Sequence, residues 1–146
     1  MKTAIIYASR HHGNTEKLLK AMAEEREITL ICAEGDKLPD LSGFDRIGYA
    51  SGIDFGKFYD SVVQVAEKTM CAEKPVFFIC TCGSPSRDFS LSLQAVAKER
   101  GCKVLGSFSC KGYNTYGPWK LVGGINKTHP DKDDVACACA FYDELI

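Results

Sequence analysis

Ser9-Arg10-His11-His12-Gly13-Asn14-Thr15 lies between an apolar stretch, Thr3 to Ala8, and a helical pattern carrying Leu18, Leu19 and Met22. Those residue types in that order suit an oxyanion. A glycine-containing turn from a buried strand into a helix aims the backbone N–H groups of the first helical turn at a ligand. The helix dipole favours negative charge there, and Gly13 lets the main chain approach closely. The hydroxyls of Ser9 and Thr15 and the amide of Asn14 add donors. The run is not a Walker loop, because no Gly-Lys-Thr/Ser follows, and it is not a dinucleotide fingerprint, because Gly-x-Gly-x-x-Gly is absent. The competing reading is a capped helix start with no ligand.

Two further segments share this mixture of glycine, hydroxyl and turn residues: Ser51 to Phe58, and Thr81 to Arg87. What would bring the three together is an alternation of apolar runs with helical periods. The runs are Thr3 to Ala8, Ile28 to Ala33, Arg46 to Ala50, Pro75 to Cys82 and Lys103 to Ser109; a turn through Gly35 and Pro39 follows the second. Ala4-Ile5-Ile6-Tyr7-Ala8 and Val76-Phe77-Phe78-Ile79-Cys80 are apolar without a break, as strands covered on both faces must be. Helical stripes fall at Asn14 to Glu25, Phe58 to Met70, Phe89 to Arg100 and Asp131 to Leu145. The pattern predicts a three-layer α/β/α sandwich with a five-stranded parallel sheet, joined by right-handed crossovers. Ligands of such sheets bind beyond the carboxyl ends of the strands, where strand order reverses. The three segments fall there.

The 146 residues predict a single domain spanning residues 1 to 146, and 18 basic against 19 acidic residues leave a net charge of −1. No apolar run is long enough to cross a bilayer and no signal peptide opens the chain, so a cytoplasmic protein binding neither nucleic acid nor membrane is expected. The eight cysteines read as reduced thiols rather than a disulfide framework. Cys80 and Cys110 sit in strand-like runs and Cys139 in a helical stripe, where a thiol packs as a small hydrophobe. The one-residue gaps in Cys80-x-Cys82 and Cys137-x-Cys139 are too short for ordinary zinc or iron–sulfur ligation, and no metal is expected.

The turn Tyr7-Ala8-Ser9-x-His11-His12-Gly13-Asn14-Thr15 resembles the phosphate loop of flavodoxins, and Ser51-Gly52-Ile53-Asp54-Phe55-Gly56-Lys57 is similar to the turn that follows their third strand. The resemblance implies a doubly wound sheet of order 2-1-3-4-5 and one non-covalent FMN. Ser9, Arg10, His11, His12, Gly13, Asn14 and Thr15 would hold its phosphate. The loop before Gly13 is one residue longer than in the commonest flavodoxins, so Ser9 and Arg10 compete for its first position. Ser51, Gly52, Ile53, Asp54 and Phe55, with Thr81, Cys82 and Gly83, would border the flavin ring, and the Gly52-Ile53 peptide matches the one that reorients when the ring is reduced. It further implies an electron carrier with no acid–base catalytic set, working between redox partner proteins as a monomer or weak dimer. The alternative is an FMN-dependent reductase of a quinone or another small acceptor.

Two features depart from the family. The third loop lacks a tyrosine to cover the ring, a role left to Phe89 or to a lid formed by Gly112 to Lys120. The charge is near neutral rather than acidic, with Lys57, Arg87, Lys111 and Lys120 expected at the rim, where they would favour a reduced, anionic ring.

Overall fold

The computed structural model describes residues 1–113, 121 and 123–145, with His11 described by its backbone. Its elements run β1 (Thr3–Ala8), α1 (Asn14–Ala23), β2 (Ile28–Cys32), β3 (Arg46–Asp54), β4 (Lys57–Phe58), α2 (Asp60–Thr69), β5 (Val76–Cys82), α3 (Leu91–Glu99), β6 (Val104–Lys111) and α4 (Lys132–Asp143), with one 3₁₀ turn, His11–Gly13, before α1. The unbroken apolar runs become β1 and β5, which flank β3 in the middle of the sheet, in the order β2-β1-β3-β5-β6 with parallel pairing throughout. The mixed runs become its edges, β2 and β6, most of whose residues are half-buried or exposed. The chain folds as the expected α/β/α sandwich, with a flavodoxin-like doubly wound sheet.

Alternate strand residues serve opposite faces. Ala4, Ile6, Tyr49 and Phe78 meet Val62, Val65, Leu93 and Ala97 on the face covered by α2 and α3. Ile5, Phe77 and Ile79 meet Leu18, Leu19, Met22, Ala138 and Tyr142 on the face covered by α1 and α4. Each such side chain taken fully out of water contributes about 1.5–3 kcal/mol. Packing is close: a Cβ on Gly48 would lie 2.5 Å from the Phe77 ring. The connection from β2 to β3 has no helix, and Leu41 and Phe44 cap that end of the core instead.

One element corrects the expectation. Ser51 to Phe58 is a hairpin rather than a loop: β3 runs on past Ala50, and Ile53 pairs with Phe58 and Asp54 with Lys57, antiparallel. Phe55 (φ 50°) and Gly56 (φ 74°) form its two-residue turn, positive φ at both positions matching the twist of the flanking strands. The short β4 makes six strands rather than five, so the numbers 2-1-3-4-5 become β2-β1-β3-β5-β6 although the parallel path is as expected. Helix ends retract by up to two residues. The start of α4 is fixed by Asp131, whose side chain accepts from Asp134 N–H at 2.9 Å while Asp134 accepts from Asp131 N–H at 2.9 Å. All eight cysteines are free, and no helix among the described residues is long and apolar enough to cross a membrane.

Candidate functional site

The carboxyl ends of β1, β3 and β5 bring the three expected segments into one place. His12 (φ 54°) and Gly13 (φ 64°) both take left-handed backbone, swinging the chain from β1 into α1. Gly13 caps α1 without a side-chain hydrogen bond, and a Cβ there would meet nothing within 4 Å. Ser9 Oγ instead accepts the Glu16 N–H at 3.1 Å. The Thr15 hydroxyl turns inward to the Thr81 hydroxyl at 2.8 Å, both residues being buried. Asn14 Nδ2 donates to the Tyr113 carbonyl at 2.9 Å, and its Oδ1 accepts the Tyr113 N–H at 3.2 Å. The His12 ring lies 3.9 Å from that of Tyr113. Arg10 donates to Glu34 at 2.8 and 2.6 Å and lies 4.7 Å above the Tyr59 ring.

These contacts surround a narrow cleft of about 40 Å³. Ser9, Arg10, Asn14 and Thr15 line it from the first segment, Gly52 and Ile53 from the second, and Thr81, Cys82 and Gly83 from the third. Ile53, Cys82 and Gly83 also line an adjoining cavity of about 490 Å³, completed by Phe55, Gly56, Ser84, Ser86, Arg87, Phe89 and Ile125. Arg87 crosses its rim: the guanidinium is 5.0 Å above the Phe89 ring, and a Cβ on Gly56 would lie 2.5 Å from it. Phe55 stands 96% exposed at the hairpin tip.

Of the other expected residues, Ser51 is buried and works structurally, donating to the Gly52 carbonyl at 2.5 Å and accepting the Tyr59 N–H at 2.8 Å. The first of these bonds opposes reorientation of the Gly52-Ile53 peptide. Asp54 lies outside both cavities and lines a third with Arg10, Lys57 and Tyr59. Gly52 must be glycine for a local reason: a Cβ there would lie 2.5 Å from Tyr59 Oη. Among the rim residues Lys57, Arg87 and Lys111 are exposed.

Sequence reasoning missed Tyr59, Ile125 and Asn126. Tyr59 follows the buried Phe58 and could have been found as a second aromatic at the start of α2. Asn126 donates to the Gly83 carbonyl at 2.7 Å and had no signal. Part of the expected lid can be followed: Gly112 N–H donates to the Cys82 carbonyl at 2.9 Å, and Tyr113 reaches the cleft. The rest of the Gly112 to Lys120 segment, the rim position of Lys120 and the side chain of His11 lie outside the described residues.

A doubly wound parallel sheet with its cleft at the strand-order reversal defines a flavodoxin-like fold, and solved structures agree. Flavodoxin 2 from Bacillus cereus superposes with a TM-score of 0.68 at 18% identity, covering 99% of this chain and 100% of that one. Rubredoxin oxygen:oxidoreductase from Desulfovibrio gigas gives 0.72 at 13% identity, covering 99% of this chain and 35% of that one. No protein-family model matches the sequence. The uncharacterized protein MJ0298 of Methanocaldococcus jannaschii is 38% identical over 148 residues, spanning 100% of this chain and 99% of that protein. This chain belongs to the same family as that archaeal protein.

Proposed function

We propose that the chain binds one FMN and carries electrons between redox partner proteins. The observation that carries this reading is the pair of adjoining cavities sharing Ile53, Cys82 and Gly83, one ending at the N-terminus of α1 and the other lined in part by apolar side chains. Their chemistry fits the two ends of a flavin mononucleotide. An α1 N-terminus whose left-handed N-cap, Gly13, offers no side-chain acceptor and where Ser9 Oγ takes only the Glu16 N–H suits a phosphate. A cavity of about 490 Å³ walled by Ile53, Phe89 and Ile125 falls in the range of roughly 300–1,000 Å³ usual for cofactor pockets.

When bound, FMN supplies the electron chemistry through its ring, and the protein's part is to bind, orient and tune. Ser9, Asn14 and the first turn of α1 would receive the phosphate, with Arg10 exchanging Glu34 for it. Thr15, tied to Thr81, would hold the loop in place as well as lining the cleft. Arg87 places a positive charge at the edge of the ring cavity, which favours a ring that has gained electrons.

Titration of the apoprotein with FMN and with riboflavin, followed by flavin fluorescence, tests the reading. FMN should bind far more tightly. Equal affinities would remove the phosphate site from the account, and failure of both ligands to bind would overturn the function. Steady consumption of a nicotinamide cofactor with a quinone acceptor would replace the carrier by the reductase.

A further inference from the structure

The tip of the β3–β4 hairpin carries two penalties that no contact among the described residues offsets. Phe55 takes left-handed backbone (φ 50°), which asparagine or glycine adopts more readily, and its ring stands in water. With Gly56 already in place, the turn could be built without an aromatic residue. A large apolar side chain held out on a tight two-residue turn keeps a fixed direction and loses little freedom when a partner covers it, as an interface anchor requires. Leu91, also exposed, opens α3 two residues beyond Phe89, which lines the larger cavity with Phe55.

Around this cavity the charges are of one sign. Arg87 lines it beside Phe55, and none of the lining residues is acidic. Lys111 pairs with Cys82 across the sheet, and Lys127 follows Asn126, which donates to the Gly83 carbonyl. All three cations are exposed. Among the described residues the ion pairs of arginine and lysine are Arg10 with Glu34, Lys20 with Glu16 and Arg26 with Asp143, so none of the three is neutralised in that way. The described residues from Lys111 to Pro130 include no Asp or Glu. The one carboxylate between Thr81 and Ser90, Asp88, is turned inward to Ser90, Gln94 and Ser107. Asp54 and Asp60 line the third cavity, with Lys57 and Arg10, and not this one. The chain as a whole has a net charge of −1, so the positive rim is a local arrangement and not a reflection of composition.

We propose that the rim of the larger cavity is a docking face for an acidic protein, with Phe55 as its apolar anchor and Arg87, Lys111 and Lys127 as the charges that draw the partner in. The complement of such a face is an apolar depression ringed by carboxylates. The depression takes the Phe55 ring, and the carboxylates meet the guanidinium and the two ammonium groups. The two parts act at different ranges. Opposite charge speeds encounter and fixes which faces meet, an effect that salt screens, whereas the buried ring slows release and does so at any salt concentration. That such a partner exchanges electrons with a flavin in the adjoining cavity rests on the FMN reading, whereas the docking face itself does not.

The experiment uses the full chain with and without FMN, an acidic two-cluster ferredoxin as the probe and the basic cytochrome c as its control. A carbodiimide joins carboxylates to the lysines they touch, so peptide mapping of the coupled products reads the contact face. Ferredoxin at low salt should couple to Lys111 and Lys127 and spare Lys2 and Lys103, which precede β1 and β6 at the other end of the sheet. Its affinity, followed by the anisotropy of a label on ferredoxin, should fall about tenfold between low and high salt. Arg87→Gln should weaken binding at low salt and have little effect at high salt. Phe55→Asn should weaken it about tenfold at both, the ordinary loss for an aromatic anchor. Coupling spread over both ends of the sheet, equal coupling to cytochrome c, or links between two copies of this chain that ferredoxin does not displace overturns the proposal, and so does an unchanged affinity in Phe55→Asn. At saturating FMN, reduced ferredoxin should pass one electron to the bound flavin at a rate that falls with salt. Coupling confined to Lys111 and Lys127 without electron transfer supports the docking face and overturns the carrier reading.

Discussion

Thr15 shows how one side chain can carry both fold and function. Its hydroxyl pairs with that of Thr81 inside the protein, so Thr15→Val strands a buried hydroxyl and should cost about 1–3 kcal/mol of stability. The double variant with Thr81→Val should cost less than the two single changes added together, which urea unfolding of the four proteins measures. A larger loss for FMN than for riboflavin would show that the residue also serves the phosphate. Asp88 ties the start of α3 to β6 through Ser90, Gln94 and Ser107. Burial alone would raise its pKa, but hydrogen bonds from Ser90, Ser107 and Gln94 outweigh it and hold the carboxylate below its ordinary value. The folded state therefore resists protonation more than the unfolded one. The resulting stability is complete above the unfolded value of about 3.9 and is lost as pH falls below it, through the folded value. Asp88→Asn should lower stability by about 2 kcal/mol at neutral pH and weaken the acid dependence, as seen in denaturation midpoints above and below that range.

At the level of elements, the β3–β4 hairpin carries a local conflict. Its turn demands positive φ at two successive residues, yet Phe55 occupies the first of them and leaves its ring in solvent. Left-handed backbone costs an ordinary residue roughly 1–2 kcal/mol, whereas asparagine adopts it readily. Phe55→Asn should accordingly stabilise the protein by about 1 kcal/mol while weakening FMN binding, because Phe55 lines the larger cavity. Stabilisation with unchanged affinity would mean that the aromatic ring does not meet the flavin. Tyr59 explains much of what else holds this hairpin: its N–H is held by Ser51, its ring lies under Arg10, and its hydroxyl fills the space a Cβ on Gly52 would need.

The whole molecule offers a test that depends on no single residue. A ligand that binds only the folded chain at about a thousand times its dissociation constant adds roughly 4 kcal/mol. FMN should therefore raise the melting temperature in a concentration-dependent way, and adenosine monophosphate, which offers a phosphate without the ring, should raise it less. With all eight thiols free, adding a reductant should leave that temperature where it was.

Periodicity and turn residues alone determined the layers, the five parallel strands and the end of the sheet at which the site forms, while the order of the strands came from the resemblance of two loops to flavodoxins. Both-faced apolar runs such as Val76 to Cys80, bounded by turn residues, read as central strands, and Gly13-Asn14-Thr15 reads as a helix start after one. These are local signals, written in consecutive residues. Tertiary structure decided what each polar group is bonded to. Thr15 turns to Thr81, Asn14 to Tyr113, and Asn126 comes back over Gly83, pairings across many residues that no window of sequence contains. The two-residue β4 was likewise invisible, because Phe58 fits a helical stripe as well as a strand and only its antiparallel partner Ile53 settled the choice. Hydrophobic burial is repetitive and leaves a period in the sequence, whereas a hydrogen bond between distant side chains is a single event and leaves none.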